Sequence, residues 1–281
     1  MRFHPIVVGA LYPGIARSLR ADILATQALS GTAYPICTSH VVAGDGVVTD
    51  VLNVPTDTVS AQLEHVFNTR TPTSAKVGII GATPSVGRVF DHLESLDGPV
   101  VYDLTVSGPS GEDVLGPNGL EAITERLEEP DLVTTRRTDA ALVAGMEIPS
   151  LDDAQVAAQR IAQQGARNVL IRCGKLPTHF YEQNASPPDY ALDLFFDGDD
   201  FALFEAPYIQ NLEAHHGASS GLLLPLLHNL QSGMDLEPAL QKAKGRVSEA
   251  LRAFQQPESE DTDASFFQTL EEEPTMAEMQ E

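Results

Sequence analysis

The sequence predicts an α/β protein: a mostly parallel sheet covered by helices on both faces. Short apolar, β-rich runs alternate with longer stretches of helical period along nearly the whole chain, and βα alternation of this kind lays crossover helices on a sheet. No composition break or long linker divides residues 1–256, so one domain is expected there. With 281 residues, 42% of them apolar, the chain can bury a substantial core.

In order, residues 5–9 read as a strand, 16–30 as a helix, and 34–42 and 47–54 as strands. Residues 56–69 have helical period with Thr56 or Asp57 at the N-cap. A strand over 76–80 closes at Gly81, then come a helix over 85–93 and a strand over 100–103. Helices over 118–127, 138–144 and 151–164 flank a short strand at 132–134. Residues 169–173 form the next strand, and 190–196 with 201–206 suggest a hairpin turning at Asp197-Gly198. Helices over 221–231 and 236–254 close the body.

The charge narrows the function. Forty acidic residues against 17 basic give a net charge of −23, which repels a phosphate backbone and argues against a nucleic-acid partner. Only four of the basic residues are lysines, Lys76, Lys175, Lys242 and Lys244. Acid excess with so little lysine resembles the composition of proteins from salt-loving cells, where salt screens self-repulsion. The apolar runs are too short to span a bilayer, so no membrane partner is expected. Cys37 and Cys173 make neither a CxxC pair nor a disulfide framework, and a reduced, cytoplasmic setting is the expectation. Residues 257–281 carry nine acidic residues and no lysine or arginine, and read as an acidic, disordered tail. Its Phe266-Phe267 pair offers a docking element for a partner or for the domain itself.

In an open parallel sheet, ligands sit beyond the carboxyl ends of the strands. That directs attention to residues 9–14, 44–46, 103–111 and 173–175, and to the turn before Gly221. The last is the most informative: Gly217, Ala218, Ser219 and Ser220 are small residues opening a strong helical run. Small residues let the unpaired amides of a helix start approach an anion closely, although an ordinary Ser/Gly N-terminus reads the same way. His215 and His216 stand beside it, and an imidazole there could accept a proton. The other histidines lack metal-ligand spacing. No GxSxG elbow, GxxxxGK[ST] loop or HExxH pair is present.

Five segments, in order, resemble the hydroxymethylpyrimidine/phosphomethylpyrimidine kinases, members of the ribokinase-like superfamily. Pro13 to Asp22 (PGIARSLRAD) has the spacing of that family's PSGGAGIQAD, and Lys76 to Gly81 (KVGIIG) resembles its KIGMLG. Val100 to Asp103 with Ser110-Gly111 resembles VVLDPVM…SG, Arg172 to Leu176 (RCGKL) resembles KGGHL, and His216 to Leu222 (HGASSGL) lies where the family has HGTGCTL. The resemblance covers most of residues 6–254. It implies a three-layer α/β/α sandwich, ATP and Mg²⁺ as cofactors, a small-molecule pyrimidine as acceptor, and a homodimer. By position it implies that Asp22, Gly14 and Asp45 bind substrate and that Lys175 and Arg136 meet nucleotide or phosphate. Asp103 and Asp139 would lie at the metal, with Asp103 and Ser220 catalytic over an anion hole of Gly217, Ala218, Ser219 and Ser220.

The chain also departs from that pattern. Ser219-Ser220 replace Gly-Cys, so a Cβ stands where close phosphate approach is wanted, and a weakly basic hydroxyl replaces the family's cysteine or aspartate base. In the TPNLPE segment, Arg136 replaces the asparagine and Asp139 the glutamate; an arginine repels Mg²⁺ but grips phosphate. No glutamine stands near Gly44-Asp45 to read a pyrimidine, and Tyr12 replaces an aspartate. Three readings therefore stand: a pyrimidine kinase of thiamine synthesis, a non-catalytic member that keeps the pocket, and a pyridoxal-type kinase.

Overall fold

The computed structural model describes residues 2–13, 16–44, 47–108, 111, 114–176, 190–209, 217–254, 266–267 and 270. The elements run β1 (Pro5–Leu11), α1 (Leu19–Ala28), β2 (Tyr34–Gly44), β3 (Val47–Asn53), α2 (Thr56–Thr69), β4 (Ser74–Val77), α3 (Thr83–Leu93), β5 (Val100–Leu104) and α4 (Gly119–Thr124). They continue with β6 (Leu132–Arg136), α5 (Arg137–Ala144), α6 (Leu151–Gln163), β7 (Val169–Gly174), β8 (Tyr190–Phe196), β9 (Phe201–Pro207), α7 (Ala218–Gln231) and α8 (Leu236–Phe254).

The strands form one sheet in the order β3-β2-β1-β4-β5-β6-β7-β8-β9. The pairs from β2 to β7 are parallel, and antiparallel β3 and the β8–β9 hairpin extend the two edges. Parallel strands bury both faces, and the strand period of two divides the core accordingly. Ile6, Val8, Val77, Tyr102, Val133 and Ile171 face the layer that includes α2, α3 and α6. Val7, Val101, Leu132 and Leu170 face α1, α7 and α8. This is the three-layer sandwich that the resemblance implies.

Local chemistry explains several boundaries. Ser150 caps α6, its Oγ accepting from the Asp153 amide at 3.2 Å. The β8–β9 turn is tied by Asp197 Oδ1, which accepts from the amides of Asp199 (2.9 Å) and Asp200 (2.7 Å). Of the expected boundaries that move, three have a local cause. Helix α1 begins at Leu19 rather than at residue 16, because Ser18 holds a φ of 50° outside the helical region and bridges back to Leu11. Strand β4 ends at Val77, where the chain leaves the sheet and Gly78 and Ile79 become cavity wall. The N-cap of α2 is Pro55, not Thr56 or Asp57; the Thr56 hydroxyl is 3.0 Å from Ser85 Oγ.

The expected solvated tail is not solvated throughout. Phe266, Phe267 and Leu270 are 1%, 3% and 0% exposed and belong to the core layer of α1, α7 and α8. Burying three large apolar side chains outweighs the solubility of the carboxylates around them in sequence. Among the described residues, no helix is long and apolar enough to cross a membrane.

Candidate active site

Strand period and register assemble the site before any loop is considered. Lys76 lies between Ala75 and Val77, and Arg172 between Ile171 and Cys173; those four neighbours face the first core layer. Lys76 and Arg172 therefore point to the opposite face, as does Asp103 between Tyr102 and Leu104. Arg136 stands two residues beyond Thr134 at the end of β6, paired in register with Arg172. Four charged side chains on β4 to β7 thus gather under α1 and α7.

There they border a cavity of about 300 Å³, walled also by Tyr12, Arg17, Ser18, Ser107 and the opening of α7 from Gly217 to Ser220. It lies near the carboxyl ends of the parallel strands, where the sequence placed a ligand. Gly217 caps α7 with a φ of 108°, a left-handed conformation that admits the tight entry into the helix.

Asp103, 7% exposed, is the hub. Its Oδ1 accepts from Arg172 Nη2 at 2.6 Å and its Oδ2 from Ser219 Oγ at 2.6 Å, while Lys76 Nζ lies 3.6 Å away. Arg172 Nη1 donates to Ser219 Oγ at 2.5 Å, closing a triangle. Burial acts to raise the Asp103 pKa, but Arg172, Lys76 and the Ser219 hydrogen bond together outweigh it and hold the carboxyl below its ordinary value. Ser219, whose Cβ seemed an obstacle to phosphate, spends its side chain on Arg172 and Asp103.

Asp22 is fully buried and does not border the cavity. It is not a helix-surface carboxylate, and it reaches the cavity through two neighbours. Lys76 Nζ lies 3.0 Å from both carboxylate oxygens, and Ser220 Oγ donates to Oδ1 at 2.6 Å. Burial is the largest influence on Asp22 and leaves its pKa raised despite Lys76 and Ser220. Lys76 is pulled downward by burial, yet Asp22 and Asp103 prevail and keep it above the ordinary lysine value, hence charged.

Asp139 does not offer itself to a metal. Its Oδ1 accepts from Ser107 Oγ at 2.5 Å and Ser107 N at 3.1 Å, and its Oδ2 from Arg136 Nε at 2.9 Å and Nη2 at 2.7 Å. The residue expected at the metal is thus the buried counter-ion of Arg136, an arrangement built by their i, i+3 spacing at the start of α5. Among the described residues no cluster of three His, Cys, Asp or Glu side chains is placed to hold an ion. Lys175 lies outside the cavity, its Nζ 5.0 Å from the centre of the Tyr208 ring. Gly14, Asp45, His215 and His216 lie outside the described residues.

Sequence reasoning placed Asp103, Arg136 and residues 217–220 at the site but gave no role there to Lys76 or Arg172. A signal existed: each is a charge inside an apolar strand run, and a buried charge requires a partner.

A family model for phosphomethylpyrimidine kinase matches residues 18–263. The chain is 28% identical over 234 residues to the hydroxymethylpyrimidine/phosphomethylpyrimidine kinase of Aquifex aeolicus, covering 83% of this chain and 88% of that one. It is 29% identical over 243 residues to the enzyme of the same name from Rhizobium meliloti, covering 85% and 87%. Among solved structures, the pyridoxal kinase of Staphylococcus aureus in complex with AMP-PCP and pyridoxal superposes with a TM-score of 0.75 at 23% identity, over 90% of this chain and 88% of that one. The phosphomethylpyrimidine kinase of Clostridium difficile gives 0.71 at 17% identity, over 89% and 100%. These two likenesses establish a shared fold.

Proposed function

The chain belongs to the phosphomethylpyrimidine kinase family, and from that premise we propose that it transfers the γ-phosphoryl group of MgATP to hydroxymethylpyrimidine or its monophosphate in thiamine synthesis. One observation carries the reading: in a chain of net charge −23, the cavity gathers Lys76, Arg17, Arg136 and Arg172 beside a helix N-terminus. Among the described residues, four cations against the one carboxylate that borders the cavity, Asp103, suit a polyanion.

Phosphoryl transfer asks the protein for position, charge neutralisation and a proton acceptor. The amides of residues 217–220 receive phosphate oxygens, and Arg172 and Lys76, fixed by Asp103, face the charge that develops. Arg136, fixed by Asp139, adds a third cation. Magnesium would be carried by the nucleotide and would supply charge neutralisation on its phosphates. Among the described residues no cluster of carboxylates, histidines or cysteines builds it a separate site.

The acceptor hydroxyl lies against Ser220. As its oxygen bonds to the γ-phosphorus and the bond from phosphorus to the ADP oxygen breaks, its proton passes to Ser220 Oγ while the Ser220 proton passes to Asp22. A serine alone is too weak a base, but one hydrogen-bonded at 2.6 Å to a carboxylate with raised proton affinity can relay. Lys76 pairs with the Asp22 carboxylate before transfer and, once Asp22 is protonated, keeps Asp103 as its counter-ion at 3.6 Å.

The same reading carries a homodimer and a cytoplasmic setting. Exposed Val42, Val47 and Leu52 on the β2–β3 edge support a protein contact there, and light scattering measures the mass in solution. Function is tested by incubating the protein in high potassium chloride with MgATP and hydroxymethylpyrimidine, its phosphate or pyridoxal, followed by mass spectrometry. A phosphorylated pyrimidine is expected. Phosphorylation of pyridoxal alone would move the chain to B6 chemistry, and ligand-raised melting temperature without product would leave a binding protein.

A further inference from the structure

The opening turn of α7 carries glycines four residues apart, Gly217 at its cap and Gly221, so both lie on one side of the helix. Two rings fill the notch they leave. A methyl group built on Gly217 would lie 2.7 Å from Phe267 Cζ, and one built on Gly221 would lie 3.0 Å from Phe266 Cζ. The rings are edge to face, with centroids 4.9 Å apart. The same methyl on Gly217 would lie 3.3 Å from the carbonyl oxygen of Ala16. Phe267 therefore sits at the junction of two segments that wall the cavity, the one bearing Arg17 and Ser18 and the one bearing residues 217–220. The segment is tied down behind the rings, where Arg246 Nη2 donates to the carbonyl of Leu270 and the Leu270 amide donates to Phe267 O at 3.1 Å.

We infer that Phe267, packed on Gly217 with Phe266 beneath it on Gly221, is a positioning residue that holds the phosphate-binding turn from outside the cavity. Phe266 and Phe267, which the sequence sets among acidic residues, thereby become part of the kinase machinery. The physical ground is geometric. Amides that stabilise a transferring phosphoryl group must be preorganised; Ser219 and Ser220 are held by their own hydrogen bonds, whereas the cap residue Gly217 has no side chain to fix it. Phe267 borders no part of the cavity, so it acts only through Gly217.

This inference rests on the kinase reading of the cavity, and the test separates the two. Wild type, Phe267→Ala, Phe267→Leu and Phe204→Ala are compared; Phe204 is a buried ring of the same core layer on β9, away from the cavity. Each is measured for melting temperature, kcat and the KM for MgATP. Phe204→Ala should melt lower yet keep kcat. Phe267→Ala should lose about tenfold to a hundredfold in kcat, the scale of a small misplacement of reacting groups, with Phe267→Leu in between. Equal kinetics in wild type and Phe267→Ala, or an equal loss in Phe204→Ala, overturns the inference. If Phe267→Ala does not fold, or wild type shows no turnover, hydrogen exchange of amides 217–220 decides. Faster exchange in Phe267→Leu than in Phe204→Ala supports the positioning role, and equal rates reject it. Absent turnover by itself counts only against the kinase reading.

Discussion

Replacing Lys76 by methionine tests the electrostatic centre of the fold without relying on any substrate. The ammonium is 3.0 Å from Asp22 Oδ1 and 3.6 Å from Asp103 Oδ2. At an effective dielectric of about 20, each contact is an attraction of ~5 kcal/mol. Desolvation of the three charges offsets much of this, and removing one partner of such a buried set costs about 3–5 kcal/mol. For a domain of this size that is a fall in Tm of roughly 6–20 °C. The loss should depend on pH with a definite sign. Asp22 already has a raised pKa because of burial, with Lys76 the main force opposing the rise. Without Lys76 it climbs further. Stability linked to a raised carboxyl is fully present below its unfolded value of 3.8 and is lost as pH rises to and through the folded value. The gap in Tm between wild type and Lys76→Met should therefore widen from pH 4 to pH 8, read by circular dichroism at constant high salt. Adding Asp22→Asn to Lys76→Met removes the orphaned charge and should recover most of the loss at the upper pH. A gap that stays constant with pH, or a double variant no better than the single, would show that Lys76 contributes packing rather than charge.

Ser220→Ala should lower kcat about a hundredfold with little change in KM, the usual scale of one proton-transfer element. Asp22→Asn and the double variant should fall no further, because two members of one relay are not additive; independent losses would break the relay. The Cys173 thiol, pushed up to about 12 by burial and by the nearby Asp193, should resist iodoacetamide in the native protein at pH 8 and react once unfolded; native labelling, followed by peptide mapping, would contradict its burial. With 40 acidic residues against 17 basic, the melting temperature should fall on dialysis from molar potassium chloride into dilute buffer; an unchanged value would mean that the surface carboxylates are not screened by salt to any useful degree.

The fold was legible in the sequence because its signals are local. Apolar runs and helical periods located every strand and helix among the described residues, and most boundaries fell within a few residues. The exceptions, such as the late start of α1, depend on Ser18 bridging to Leu11. The site was legible only in part. Residues 217–220 carry a local signature of small residues before a helix, but the partners of Ser219 and Ser220 are 116 and 198 residues away. Lys76, Asp103 and Arg172 meet only through strand register, and the Phe266-Phe267 pair, legible as a docking element, stands in an acidic run whose composition argued for solvent and did not say what it docks on.

The departures from the family pattern, taken one at a time, suggested a site in decay. In the fold they are paired. Ser220, where the family has a cysteine or aspartate base, bonds to the buried carboxylate of Asp22. Arg136 and Asp139, in place of asparagine and glutamate, hold one another through two guanidinium nitrogens. Ser219, in place of glycine, links Arg172 to Asp103. Loss of function leaves buried polar groups to drift independently, and each lost partner then costs the desolvation of the group that remains. All four of these residues instead have a matching partner, as the proposed phosphate-binding role requires. On the proposed function, the positive charge at the cavity stands on Arg172 and Arg136, fixed by Asp103 and Asp139, so that in this acidic chain the chain's own residues attract phosphate.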